Sequence, residues 1–381
     1  MQLFLLAVFG IYGAVHVYAF LRARAAFPCS TGCSILLGLL LAAMTLAPIL
    51  VRVLERHGLD GAARSMSWIG YTWMGVIFLF FSLSVLTDAY RLLVHGASLF
   101  LPGNTHAFLP SPRQTFLIPL VLALAVSVLA YHEALKIRIE TLTIRSPRVP
   151  ADVGRLRITQ ISDVHLGLIV REGRLRRMLE IVRSTDPDIL VSTGDLVDGQ
   201  IDSISGLAKI LGELRPRHGK YAVTGNHEFY AGLDHALEVT RAAGFTMLRN
   251  QAVQAAGFIT IAGADDPTGI RFGSAPSRTE QAMLSGLHGG TFTVLLKHMP
   301  MVRQDSAGRF DLQLSGHTHR GQIFPFVFAV RLFFDHIAGN YDLPGGAILH
   351  VSRGTGTWGP PMRFLAPPEI TVIDLVHDPG Q

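Results

Sequence analysis

RLRITQISDVH, from Arg155 to His165, sets a run of β-branched and apolar residues directly against an Asp-x-His pair. The spacing predicts a buried strand from Leu156 to Ile161 that stops where the polar residues begin. The same grammar recurs downstream. A strand from Asp188 to Ser192 runs into Thr193-Gly194-Asp195, and one from Tyr221 to Thr224 runs into Gly225-Asn226-His227-Glu228. Strands from Thr291 to Lys297 and from Leu312 to Ser315 deliver Lys297-His298-Met299-Pro300 and Gly316-His317-Thr318-His319. Amphipathic helices are expected between them, at Glu172–Arg183 (apolar at Leu175, Met178, Leu179 and Val182), at about Ile204–Leu214 and at about Asp234–Ala243. Further strands are expected at Phe258–Ala262, Ala347–Val351 and Ile370–Asp374, which makes this half an α/β layered domain.

Each of the five motif strands stops at a residue able to bind a metal. The i, i+2 spacing of Asp163 with His165, and of His317 with His319, lets both side chains of a pair reach one side of an extended segment or turn. Taken singly, an Asp at a strand end is usually a turn or cap residue, and a lone His is usually an ordinary surface or core histidine. Five ordered motifs, each placed after a strand, are hard to assemble by chance. Carboxylate, amide oxygen and imidazole form a mixed oxygen and nitrogen set suited to Mn, Fe or Zn, without thiolates. Seven donors exceed what one ion requires, and they suit two divalent ions sharing a carboxylate.

Asp163-x-His165, Gly194-Asp195-x-x-Asp198, Gly225-Asn226-His227-Glu228, the His298 block and Gly316-His317-x-His319 together resemble the calcineurin-like metallophosphoesterase superfamily over roughly Arg155 to Leu375. Gly321-Gln322-Ile323, Ser352-Arg353-Gly354 and Pro368-Glu369-Ile370 look like its bacterial membrane-associated subgroup, some of whose members act on lipid-linked or nucleotide-linked substrates, including UDP-diacylglucosamine. The resemblance implies a four-layer αββα sandwich. It implies one ion on Asp163, His165 and His319 and another on Asn226, His298 and His317, with Asp195 bridging. It further implies that hydroxide shared by the ions attacks phosphorus, and that His227 stabilises the transition state or protonates the leaving oxygen. A role for His227 in orienting Asn226 or a carboxylate is the alternative. Arg320 stands where relatives often have glycine, and is either a phosphate clamp or a solvated loop residue.

The N-terminal third reads differently. Charged residues are sparse up to about Tyr131, and the mean hydropathy of the whole chain is +0.36. A helix needs about 20 apolar residues to cross a bilayer. Leu3–Leu21, Ser34–Val51, Trp68–Thr87 and Thr115–Tyr131 meet that length, and none shows the polar face of a soluble helix. A cleaved signal peptide is a poor reading of the first, which lacks a basic leading region and is followed by three more spans. The expected organisation is therefore residues 1–136 as an all-α transmembrane region with four helices, 137–153 as a connector and 154–381 as the phosphoesterase domain. With a cytoplasmic N-terminus, Arg52, Arg56, Arg64, Lys136, Arg138, Arg145 and Arg148 lie inside, against Arg22, Arg24, Arg91 and Arg113 outside. That balance favours a multi-pass protein of the bacterial inner membrane with a cytoplasmic hydrolase domain.

Cys29 and Cys33 have no partners at metal-ligand spacing and read as interfacial residues. The net charge of +5 owes much to arginines flanking the spans, and the hydrolase half has no dense basic run, which argues against nucleic acid as partner. A stretch from Phe324 to Phe334 carries five phenylalanines just past the last histidines. It is either a surface for membrane lipid or acyl chains, or a buried strand with a packed loop.

The expected activity is thus that of a metal-dependent phosphoric ester hydrolase, a phosphodiesterase or pyrophosphatase, acting on a phosphorylated small-molecule or lipid-linked substrate. A nuclease is the enzymatic rival. A transporter or scaffold with a vestigial phosphoesterase domain is the other alternative, but it predicts missing ligands and ionisable residues inside spans, where only His16 qualifies.

Overall fold

The computed structural model describes residues 2–100, 105–198, 205–274, 276–287 and 290–378. The chain divides into two compact units, Met1–His132 with Gly359–Met362, and Glu133–Trp358 with Arg363–Gln381.

The first unit is helical: α1 (Gln2–Ala26), α2 (Thr31–Thr45), α3 (Ala47–Arg56), α4 (Asp60–Ser98), a short turn at Thr105–Phe108, and α5 (Pro112–Ala134), whose last two residues belong to the second unit. Among the described residues, three helices are long and apolar enough to cross a membrane, or four if the α2–α3 pair counts as one span. That pair corrects the expected continuous second span, because the two helices meet at a 55° bend. Pro48, in the first turn of α3, lacks an N–H and its ring crowds the carbonyl one turn back, so the helix restarts there. The third expected span lies inside the 39-residue α4, about 58 Å long at 1.5 Å per residue and so longer than a bilayer core is thick. Leucines such as Leu36, Leu39 and Leu129 face outward, as lipid-facing residues do. His16 is fully satisfied: Nδ1 lies 2.8 Å from the Tyr12 carbonyl and Nε2 accepts from the Trp73 indole at 2.8 Å. Arg22 on α1 pairs with Asp88 on α4 at 2.6 Å.

The second unit contains two six-stranded sheets. The first has the order β1 (Arg138–Ser146), β12 (Glu369–His377), β2 (Arg155–Ile161), β3 (Ile189–Ser192), β4 (Lys220–Ala222), β5 (Thr246–Met247), and β2 to β5 are parallel. The second has the order β10 (Gly339–Asp342), β11 (Ile348–Val351), β9 (Leu312–Ser315), β8 (Phe292–Leu296), β7 (Ile259–Gly263), β6 (Gln251–Ala255), with β11, β9, β8 and β7 parallel. Ile158, Ile189 and Val191 of the first sheet share a core with Ile261, Val294 and Leu314 of the second. On its other face the first sheet packs Ile161 and Leu190 against α6 (Glu172–Ser184), α7 (Ser205–Gly212) and, beyond α8 (Asn226–Ala231), α9 (Leu233–Ala242). Three further short α-helices lie among the described residues of this unit: α10 (Thr268–Arg271), α11 (Glu280–Ser285) and α12 (Val327–Val330).

The expected core strands and helices of this half are present to within a few residues, except that Ile204, the expected start of α7, lies outside the described residues. The stretch read as a connector, 137–153, contains β1, which pairs with β12 over nine residues. Its alternating Ile139, Thr141, Thr143 sequence is the period-2 signal that marks it as a strand. The stretch from Phe324 to Phe334 is not a strand; its middle is α12, and Phe326, Phe328, Leu332 and Phe333 are exposed.

Candidate metal centre

All five motifs sit beyond the C-terminal ends of parallel strands: β2 leads to Asp163 and His165, β3 to Asp195, β4 to Asn226 and His227, β8 to His298, and β9 to His317 and His319. Three carboxylate–imidazole groups result, in each of which the ligand atoms lie within 4.8 Å of one another: Asp163/His165/His319, His165/Asp195/His227 and Asp195/His298/His317. Asn226, at the start of α8, joins the last through Oδ1, 3.2 Å from His298 Nε2. Asp163, His165, Asp195, His317 and His319 all have φ between 48° and 73°. Left-handed backbone at non-glycine residues is uncommon and concentrates where side chains must converge on a site.

The loops are packed too tightly for side chains at two glycines. A Cβ on Gly316 would strike Ser162 Oγ and Asp163 Oδ2, and one on Gly194, at φ 94°, would come within 2.7 Å of His298 Nδ1 and of Gly225 N.

The donor set fits divalent cations better than it fits protons. His298 Nε2 faces three acceptors, Asp195 Oδ2 at 3.2 Å, Asn226 Oδ1 at 3.2 Å and His317 Nδ1 at 3.1 Å. One proton cannot serve all three, whereas a cation accepts a lone pair from each of the four atoms. Likewise the Nε2 atoms of His165 and His319 lie 3.1 Å apart, with Asp163 Oδ1 3.3 Å from the latter.

The electrostatics divide the imidazoles: burial works to lower His298, but Asp195 raises it well above the usual imidazole range, whereas the other three ligand rings are lowered. Burial, helped by the His227 charge, lowers His165 to about 4, and burial with His298 lowers His317 to about 3. Burial and the Arg363 guanidinium push His319 well below the usual imidazole range. These three rings are therefore neutral at pH 7, the form that binds metal. Burial works to raise Asp195, but the His298 and His227 charges outweigh it and hold the carboxylate ionised. His227 behaves oppositely. Burial works to lower it, yet Asp195 and Asp198 raise it to about 9.

Several residues without an assigned role in the sequence reading hold the donors in place. Glu228 accepts the backbone N–H groups of Asp195 at 3.1 Å, Leu196 at 2.8 Å and Gly225 at 2.7 Å. Asp198 meets His227 Nδ1 at 2.9 Å, and the Thr193 carbonyl meets His298 Nδ1 at 2.8 Å. Glu228 and Asp198 stood inside quoted motifs, so the signal was there; Arg363, 44 positions beyond His319, was marked only by being a lone charge between Met362 and Phe364. Arg320 is exposed, and its guanidinium makes no hydrogen bond or ion pair among the described residues.

The family described as calcineurin-like phosphoesterase matches residues 156–321, which carry every donor named above. An uncharacterized metallophosphoesterase of Aquifex aeolicus (strain VF5) is 38% identical over 255 residues, spanning 67% of this chain and 97% of that protein. One from Campylobacter jejuni is 33% identical over 259 residues, 67% of this chain and 68% of its own length. A Danio rerio protein named as a transmembrane protein with a metallophosphoesterase domain is 31% identical over 275 residues, 69% of this chain and 63% of its own length. The chain belongs to the calcineurin-like metallophosphoesterase family.

Proposed function

We propose that this protein is a membrane-anchored two-metal phosphoesterase that hydrolyses a phosphate ester or pyrophosphate of a lipid-linked or nucleotide-linked substrate. The observation that carries the reading is the sharing of Asp195 by the group built on His165 and the group built on His298 and His317. A single carboxylate common to two such groups is what a bridged pair of cations requires. Asp163, His165 and His319 would hold one ion, and Asn226, His298 and His317 the other. Bound divalent cations supply Lewis-acid neutralisation of phosphoryl charge and ease the ionisation of an attacking water.

The chain's own groups do the rest. His227, kept protonated by Asp195 and Asp198, holds a proton for the leaving oxygen, and Arg320 offers to substrate phosphate a guanidinium fork that has no partner among the described residues. The layering we propose is αββα, supported by a core shared between the two sheets and by helices packed on the outer face of the first. The apolar helices support a multi-pass membrane protein, and the Lys/Arg balance, counted with the α2–α3 pair as one of four spans, is what supports a cytoplasmic catalytic unit at a bacterial inner membrane. Phe326, Phe328, Leu332 and Phe333, exposed a few residues beyond the His319 turn, support a lipid-linked substrate.

The test is an assay of the detergent-solubilised protein with Mn²⁺ against a generic phosphomonoester, a generic phosphodiester and UDP-diacylglucosamine, with Asn226→Ala as control. Hydrolysis that requires Mn²⁺ and collapses in the variant is expected. Activity unchanged in Asn226→Ala removes the second ion from the reading.

A further inference from the structure

His227 is buried, but the aromatic rings that touch it are half open. Tyr230 stands 5.4 Å from it, centroid to centroid, and Trp358 6.0 Å, with planes at 70° and 74° to the imidazole. Phe272 extends the cluster, 5.9 Å from Tyr230. Tyr230 is 53% exposed, Phe272 45% and Trp358 51%. Burying an aromatic ring is among the largest stabilising contributions a side chain makes, so three rings left half open side by side mark a surface kept for a ligand.

The fold holds these rings in place. The Gln322 side chain donates to the Trp358 carbonyl at 2.7 Å and accepts from the Trp358 N–H at 3.0 Å, which fastens that residue to the end of the His319 turn. Tyr230 lies on α8, one turn beyond Asn226. Phe272 directly follows α10, and α10 rests on the neighbouring ring of Phe229, which a Cβ on Gly269 would approach to 2.7 Å. Arg249 joins the two ends of that loop, pairing with Asp265 at 2.6 Å and donating to the Ser274 carbonyl at 3.1 Å. Rings ordered in advance lose little freedom when a ligand covers them.

His227 is the group that holds a proton for the leaving oxygen, so whatever leaves phosphorus lies against these rings. A cation stands at their edge. Arg271, next to Phe272 in the chain, is exposed and makes no hydrogen bond or ion pair among the described residues. Burial raises the Tyr230 hydroxyl, and the Arg271 charge works to lower it, which puts the guanidinium within electrostatic reach of the cluster. A flat ring system carrying a phosphate meets both features, because any base can stack on an aromatic face and a guanidinium fork suits phosphate oxygens. An acyl chain would leave the cation unused. A nucleic-acid strand would call for a run of such cations, which the hydrolase half lacks.

We propose that Tyr230, Phe272 and Trp358 form the subsite for the leaving group and that this group is a nucleotide, its base stacked on the rings and its phosphate against Arg271. The inference rests on the phosphoesterase reading above and narrows it to a pyrophosphate linkage. Water adds its oxygen to the other phosphorus and gives one proton to solvent. The bridging oxygen leaves with the nucleotide and takes the proton of His227, which solvent restores.

The experiment measures equilibrium binding of AMP, UMP and ribose 5-phosphate to the full chain in detergent with Mn²⁺. Ribose 5-phosphate keeps the sugar and phosphate but has no base. Wild type is expected to bind the nucleotides about 10–100-fold more tightly than ribose 5-phosphate. Trp358→Ala and Phe272→Ala are each expected to lower that ratio about fivefold or more, and Trp358→Phe, which keeps a ring, to retain most of it. Arg271→Ala is expected to weaken all three ligands alike, by about tenfold. The ratio is taken within each protein, so a partly unfolded variant does not change it. A wild-type ratio near one overturns the proposal, as does a ratio that survives both alanine variants. A single-stranded oligonucleotide bound far more tightly than either mononucleotide also overturns it, and makes the rings part of a strand groove. Because binding is read rather than turnover, these failures are distinct from failure of the phosphoesterase reading, which Mn²⁺-dependent hydrolysis of a generic phosphodiester decides separately.

Discussion

His227 Nδ1 stands 2.9 Å from the Asp198 carboxylate, while its Nε2 stands 4.0 Å from Asp195 Oδ2. The pairing fixes the ring and, with Asp195, holds it charged up to about pH 9. A raised imidazole contributes stability in full below its ordinary value of 6.5 and loses it as pH climbs through 9. Metal-stripped wild type should therefore melt at progressively lower temperature as pH rises over that window. Asp198→Asn should shift this decline to lower pH, because one of the three carboxylates raising His227, and the one hydrogen-bonded to it, is gone. Overlapping melting curves for the two proteins between pH 6 and pH 10 would show that Asp198 does not set the charge of this ring.

His227→Ala separates proton transfer from metal binding. Loss of a general acid typically costs about 10²–10⁴ in rate. The variant should lose kcat on that scale while retaining two ions per chain by elemental analysis. Loss of an ion instead would make His227 a ligand, a role its group with His165 and Asp195 leaves open geometrically.

Glu228 is predicted to matter for stability more than for chemistry. Both its oxygens accept backbone N–H groups of the Asp195 and Gly225 loops. In Glu228→Gln one oxygen becomes an NH₂ group, which must face a buried N–H. An unsatisfied buried donor costs about 1–3 kcal/mol, which for a domain of this size is about 3–10 °C in melting temperature. Differential scanning measurements on the stripped protein check this directly, and an unchanged melting temperature would refute it.

Gly316→Ala addresses the packing of the donors. The added methyl would collide with Ser162 Oγ and Asp163 Oδ2, which already form a 2.5 Å hydrogen bond, so Asp163 must move or the His317 turn must. We expect Mn²⁺ affinity to fall at least tenfold with both sheets intact by circular dichroism. Wild-type affinity would mean that the turn can yield without disturbing the donors.

How much of this was legible in the sequence follows from the range of each interaction. The donors were legible because each lies within four residues of a strand whose periodicity is local, and β9 was read to the residue. β1 was not, although its alternation was present, because its partner β12 lies more than 200 positions away and no local turn announces the pairing. The bend between α2 and α3 was written in Pro48, which a count of apolar residues does not weigh. The left-handed backbone at Asp163, His165, Asp195, His317 and His319 has no residue signature, since only the converging loops impose it. Arg363 was illegible for the same reason: its acceptors are backbone carbonyls and a ring brought together by the fold.

The exposed apolar segment separates soluble from lipid-linked substrates. Leu332 and Phe333 are each about 80% exposed, and the adjoining Phe334 ring lies 5.0 Å from that of His317, so the segment runs from solvent to the metal centre. Exposed side chains of this size contribute little to folding, so replacing them with serine should leave the melting temperature within a degree or two. Each removes apolar surface that an acyl chain could cover, worth about 1.5–3 kcal/mol per fully buried side chain, or roughly 100-fold in affinity for the pair when both are partly covered. Leu332→Ser/Phe333→Ser should therefore hydrolyse a generic phosphodiester at the wild-type rate but show a KM for UDP-diacylglucosamine in mixed micelles raised by one to two orders of magnitude. An equal loss on both substrates would assign the segment to the architecture of the site. No loss on either would leave the metal centre as described and direct the search for substrate towards soluble nucleotides.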